Sequence, residues 1–236
     1  MSRPRVLIEQ WLPIDQIGAE CMRERGASSA LPPLYFLHVW WARRPLTVSR
    51  AAILASLLPA YPTEADGEVR PWPEKLLKQF SSVHAYRQWF LLLMGITGDP
   101  AAARRLIEYE KVTGKRTPGN KYGYSRAFSH SPSEDQLETL YDLLEWTWQT
   151  RNITFCDPMS GGGSIPFEAL RLGLTVLANE LNPVASVVLK ATLDYPGRYG
   201  TSLLNSLRQY GKQWCAPYGP GFLRIFPITH RPPMVR

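Results

Sequence analysis

The chain has 236 residues, 44% of them hydrophobic, enough to bury one sizeable core with or without an appended unit. It carries 27 Lys and Arg against 20 Asp and Glu, net +7, a balance compatible with a polyanionic partner but not specific to one. Three widely separated cysteines and four histidines without ligand spacing argue against a disulfide framework or a zinc site, and no apolar run reaches the roughly twenty residues that span a bilayer. A soluble, cytoplasmic protein with reduced thiols and no membrane partner is expected.

In chain order, a short apolar run (Val6, Leu7, Ile8) precedes a helix expected from Ile14 to about Arg25. A Gly-Ala-Ser-Ser-Ala-Leu-Pro-Pro loop from Gly26 then delivers the chain to Leu34–Leu37. Next come His38, Val39, Trp40, Trp41, Ala42, Arg43, Arg44 and Pro45. Pro45 suits the first position of a helix through Leu58, with Val48, Ala52, Leu54, Ala55 and Leu58 available for burial. Two tryptophans and two arginines ahead of a helix start suit an aromatic face and a cationic fork against a ligand. The competing reading makes the tryptophans core and the arginines a solvated rim.

Residues 59–72 form a Pro/Gly-rich acidic loop, and Glu74 to Met94 reads as one helix with Leu76, Phe80, Val83, Tyr86, Phe90 and Leu93 on one face. Gly98-Asp99-Pro100 reads as a helix start, continuing to about Val112. From Thr113 to His130 the chain is polar, with four basic residues interleaved with aromatics; this could contact a nucleic-acid backbone or be a solvated connector. Ser131 to Glu134 matches a capping box with Ser131 as the cap, opening a helix that carries Leu137, Leu140, Tyr141, Leu144 and Trp148.

The densest information lies between Asn152 and Ala185. Ile153–Cys156 is a strand-like run ending at Asp157-Pro158, and Gly161, Gly162 and Gly163 permit a sharp turn open to close approach by a ligand. Ser164 is the expected N-cap of a helix with Phe167, Leu170 and Leu174 on one face, closed by Gly173. Thr175–Ala178 is a second strand, ending at Asn179-Glu180. A strand, glycine turn, helix and second strand with an acid about twenty residues on indicate an adenosine-containing cofactor. Asp157 selects among such cofactors. A dinucleotide pyrophosphate needs bare N–H groups at the turn, and a carboxylate would repel it. The same carboxylate suits a ligand with an ammonium and a sulfonium and no phosphate, S-adenosylmethionine, while Glu180 is placed to accept hydrogen bonds from ribose hydroxyls.

Asp157-Pro158-Met159-Ser160-Gly161-Gly162-Gly163-Ser164, with Glu168–Gly173 and Asn179-Glu180-Leu181-Asn182-Pro183, resembles the cofactor motif of DNA amino-methyltransferases. Ile8–Pro13, Ala27–Pro33 and Leu37–Leu46 resemble the start of a family of large, adenine-specific DNA methylases with an N-terminal domain of unknown function, some of them in anti-phage gene clusters. The resemblance runs from residue 5 to about 214. It implies an incomplete Rossmann-like α/β fold under a mostly helical layer, S-adenosylmethionine as cofactor and DNA as partner. It implies a cofactor site at Asp157, Pro158, Ser160, Gly161, Gly162, Gly163, Ser164, Glu180 and Asn182, completed by His38, Trp40, Trp41, Arg43, Arg44 and Pro45.

Expected segments are 1–58 with the aromatic/Arg motif, 59–150 as a helical insertion, 151–214 as the cofactor-binding unit, and 215–236 as an irregular Pro/Gly-rich tail of a truncated or frame-shifted chain. An amino-methyltransferase also needs an Asp/Asn/Ser-Pro-Pro-Tyr/Phe element, whose oxygens hold the target amine while its ring stacks on the flipped base. Neither Leu31-Pro32-Pro33-Leu34 nor Arg231-Pro232-Pro233-Met234 supplies it. The chain is therefore expected to hold cofactor without catalysing transfer alone, dependent on a protein partner or a missing C-terminal half. The alternatives are an inactive DNA-binding or assembly module and, against Asp157, a nicotinamide or nucleotide enzyme.

Overall fold

The computed structural model describes residues 4–26, 31–38, 40, 42, 44–63 and 71–216. Helix α1 spans Ile14–Arg25, α2 Leu34–Leu37, α3 Leu46–Leu57, α4 Glu74–Gln79, α5 Val83–Met94, α6 Pro100–Thr113 and α7 Glu134–Trp148. Strand β1 (Thr154–Asp157), α8 (Ser164–Arg171) and β2 (Thr175–Ala178) follow, then α9 (Pro183–Leu189), a π-helical turn (Lys190–Asp194) and α10 (Tyr195–Cys215). Among the described residues the chain is mostly helical with one small two-stranded parallel sheet, a mixed α/β arrangement. β1 and β2 pair in parallel, Thr154 opposite Thr175 and Asp157 opposite Ala178, so both chains leave the sheet at the same end.

The chain divides into residues 1–188 and 189–236. In the first unit α3, α5 and α7 build the core from Leu54, Leu58, Phe90, Leu93, Leu140 and Leu144, and Trp72, Phe80 and Tyr86 pack edge-to-face beside them. Ala169, Leu172 and Leu174 belong to the same cluster, so the strand–turn–helix–strand segment is bonded to the helical layer through one apolar interior. At the other end of the chain Val6 bridges Pro59, and Leu7 N–H donates to Leu58 O at 2.8 Å. The second unit holds the π-helical turn and α10, which is kinked where Gly200 leaves helical geometry.

Several elements differ from expectation, each for a local reason. Glu74–Met94 is two helices: the chain breaks at Phe80–Ser82, and Ser82 caps α5 by accepting the Ala85 N–H. Pro45 is the residue before α3 and not its first turn. Val48 and Ala52 face solvent there, while Thr47 and Arg50 are buried. The cap of α7 is Ser133, with Gln136 reaching back to the Ser133 N–H; Ser131 lies outside the helix. Asp99 caps α6 as expected, accepting Ala102 N–H at 2.9 Å.

Two acids on α1 were not readable as structural. Glu24 accepts the Leu46 and Thr47 N–H groups and the Thr47 hydroxyl, capping α3 from a different helix, and burial raises its pKa. Glu20 accepts Arg23, the Tyr124 hydroxyl at 2.7 Å and the Ala127 N–H, and so docks the 120–127 segment on α1.

Candidate cofactor site

The site is assembled where β1 and β2 end together. Asp157 is the last residue of β1, and its backbone carbonyl accepts the Asn179 N–H at 2.9 Å and the Ser160 hydroxyl at 2.9 Å. Ser160 N–H in turn donates to Asn179 O, closing a loop of bonds between the two strand ends. Gly161 (φ +53°) and Gly163 (φ +80°) occupy left-handed conformations that side chains rarely adopt. Gly163 stands before the first residue of α8, so Ser164, expected as the cap, begins the helix instead.

Glu180 does more than wait for a ligand. Its Oε2 accepts the Gly161 N–H at 2.7 Å and its Oε1 accepts the Asn182 N–H at 3.1 Å, lowering its pKa by bonding to the charged form. It therefore pins the glycine turn to the end of β2. Each oxygen keeps a second lone pair, so ribose hydroxyls remain acceptable donors. Asn182 caps α9, its Oδ1 accepting Val184 N–H at 2.9 Å. Asp157 Oδ1 accepts Met159 N–H at 3.2 Å; its other oxygen has no protein donor among the described residues.

Trp40 comes to the same place from the N-terminal segment. A Cβ on Gly161 would lie 2.8 Å from Trp40 Nε1, and one on Gly162 would lie 2.9 Å from Trp40 Cβ. The glycines are thus needed to seat this indole, which is 8% exposed and tilted against His38 at 6.2 Å. Arg44 is exposed and meets the Tyr35 hydroxyl through its carbonyl, and Pro158 is exposed at the tip of the turn. Trp41 and Arg43 lie outside the described residues. The structure therefore gathers Asp157, Ser160, Gly161, Gly162, Glu180 and Trp40, and leaves the Arg44 side chain in solvent.

Ser164, expected in the site as a helix cap, makes no capping bond, and the ion pair behind it had no sequence signal. Ser164 Oγ is buried and has no hydrogen-bond partner, an orphan hydroxyl in the first turn of α8. Behind it, Glu168 (0% exposed) is held by Arg50 Nε from α3 at 2.6 Å and by Arg171 Nη1 at 2.8 Å. Arg50 also donates to Met94 O and His130 O, and Arg171 to Phe128 O, so α8 is fixed to three parts of the helical layer. The polar groups left at the turn are one Asp157 oxygen without a protein donor among the described residues, the second lone pairs of the Glu180 oxygens, and the unsatisfied Ser164 hydroxyl.

Residues 11–91 match the family model described as Protein of unknown function (DUF1156). The matched segment runs from Trp11 into α5 and includes Trp40, but stops well short of the glycine turn. No curated protein and no solved structure matches the chain. Among the described residues no helix is long and apolar enough to cross a membrane, and no group of three or more His, Cys, Asp or Glu side chains is arranged to hold a metal ion.

Proposed function

We propose that the chain is the S-adenosylmethionine-binding N-terminal portion of a DNA amino-methyltransferase, with adenine N6 the preferred target. The observation that supports it is the placement of Asp157 and Glu180 at the joint C-terminal ends of two parallel strands, on either side of a left-handed glycine turn. Bound there, the cofactor supplies an electrophilic methyl group on a sulfonium. Asp157 would face the cationic amino-acid end, Glu180 the ribose, and Gly161–Gly163 would allow the backbone to lie against the ligand. The step that orients a target amine requires the Asp-Pro-Pro-Tyr-type element, which this chain lacks, so binding without turnover is the expected behaviour.

A second reading is favoured by one feature: Glu180 and Trp40 already satisfy the turn from within the protein. In that reading the fold survives as an inactive DNA-binding or assembly module of a DNA modification or anti-phage system. Titration calorimetry with S-adenosylmethionine separates the two. Asp157→Asn keeps the bond to Met159 but removes the charge, and Glu180→Gln keeps an oxygen for the Gly161 N–H while giving up the bond from Asn182. A dissociation constant on the order of micromolar is expected for the wild type, weakened about tenfold or more in each variant, the worth of one charge-assisted bond. Unchanged affinity in either variant removes that residue from the site, and no wild-type heat leaves the inactive module.

A further inference from the structure

From Lys111 to Ser133 the chain carries five Lys and Arg residues and no Asp or Glu. This stretch is not a free connector. Its second half is docked on α1 through Glu20, which accepts the Tyr124 hydroxyl, and through Arg23, whose guanidinium lies 3.9 Å over the Tyr122 ring. Its first half, residues 111–120, is exposed throughout. Between α1, α6 and residues 119–126 lies an open cleft of about 530 Å³, lined by Arg104, Lys111, Asn120, Lys121, Tyr122 and Arg126 among others.

The acids near this cleft are already matched. Glu108 pairs with Arg104 at 2.8 Å, and Glu110 is held by Lys121 and Thr117, whose bonds lower its pKa to about 2. Lys111, Lys115 and Arg116 have no acidic partner among the described residues. These cations are solvated and spread along the chain, not buried and converging, so a single small anion would gain little from any of them. A polymer with condensed counterions rewards each contact separately, because every neutralised phosphate releases an ion.

We propose that this cleft and the exposed stretch 111–116, which runs on from the cleft-lining Lys111, take the phosphate backbone of a nucleic acid, with Lys111, Lys115 and Arg116 as phosphate contacts. The cleft shares no lining residue with the glycine turn; that its polyanion is DNA rests on the proposed function, whereas the phosphate contacts are judged apart from cofactor binding. The test is fluorescence anisotropy of a labelled DNA duplex over a range of KCl concentrations. It compares the wild type with a triple variant, Lys111→Gln, Lys115→Gln and Arg116→Gln, whose helical content is checked by circular dichroism. The triple variant is expected to bind about tenfold or more weakly at low salt, with the log–log salt slope reduced by about 2 to 3, and to keep the wild-type heat with S-adenosylmethionine. The proposal is overturned if affinity and slope are unchanged, if the wild type does not bind the duplex, or if polyglutamate displaces the duplex as readily as unlabelled DNA. Calorimetry on the same samples judges the cofactor site independently of any of these outcomes.

Discussion

A charge withdrawn from water must be met by a counter-charge and by hydrogen bonds for its remaining donors. Arg50, 1% exposed, has both: Glu168 at 2.6 Å and the carbonyls of Met94, Ala127 and His130. Burial pushes the guanidinium pKa down and Glu168 opposes that shift. Deleting one partner strands the other, which typically costs about 3–5 kcal/mol. Glu168→Gln should therefore lower the unfolding free energy of the first unit by that amount, read as a fall in urea midpoint at constant m. The paired change Arg50→Met with Glu168→Leu should cost less than the sum of its single changes, since neither member of the pair is left as an unmatched buried charge and the part-exposed Arg171 keeps its carbonyl acceptors. A loss under about 1 kcal/mol for Glu168→Gln would show that the pair does not hold α8 in place.

Among elements, α8 ends in a way that can be dissected bond by bond. Leu174 N–H donates to Ala169 O at 3.1 Å and Gly173 N–H to Leu170 O at 3.0 Å, the paired bonds of a Schellman motif, with Gly173 at φ +75°. The two apolar positions that go with it, Ala169 and Leu174, are both buried in the main core cluster. A Cβ on Gly173 would lie 2.0 Å from the Tyr141 hydroxyl and 3.2 Å from its Cζ. Gly173→Ala thus meets two penalties, about 1 kcal/mol for the left-handed backbone and the larger cost of displacing Tyr141 from α7. Adding Tyr141→Phe removes the hydroxyl contact and should restore part of the thermal midpoint, leaving the backbone penalty; no restoration would place the clash elsewhere.

This ending was legible because its signals are local: a glycine after an amphipathic run, as with Asp99-Pro100 at the start of α6 and the two strands around the glycine turn. Ser131 and Ser133 show where local signals run out. Both stand three residues before a Glu or Gln, and only the fold shows that Gln136 does the reaching back. Glu24 capping α3, Arg50 meeting Glu168 and Trp40 seated on Gly161 join residues far apart in sequence, and no spacing rule connects them. The aromatic segment was recognisable as unusual. That its indole would pack on the turn itself was not.

At the scale of the whole molecule, stability is distributed unevenly. α3, α5 and α7 carry most of the large, fully buried side chains, whereas β1 and β2 are four residues each, with Cys156 and Leu177 exposed and no third strand among the described residues. Short parallel strands with unpaired outer edges are marginal, so they should open without unfolding the helical core. Amide exchange should show β1, β2 and Gly161–Gly163 exchanging well ahead of α5. A ligand that needs the strand ends intact raises the cost of every opening that destroys them by RT ln(1 + [L]/Kd), about 2.7 kcal/mol at a hundredfold excess over Kd. Saturating S-adenosylmethionine should therefore slow exchange in β1, β2 and the turn by about a hundredfold, while residues 111–120, whose amides exchange without disturbing the site, stay unchanged. Strands as protected as α5 without ligand would mean that the sheet needs no completion, and strands indifferent to the cofactor would move its binding away from Asp157 and Glu180.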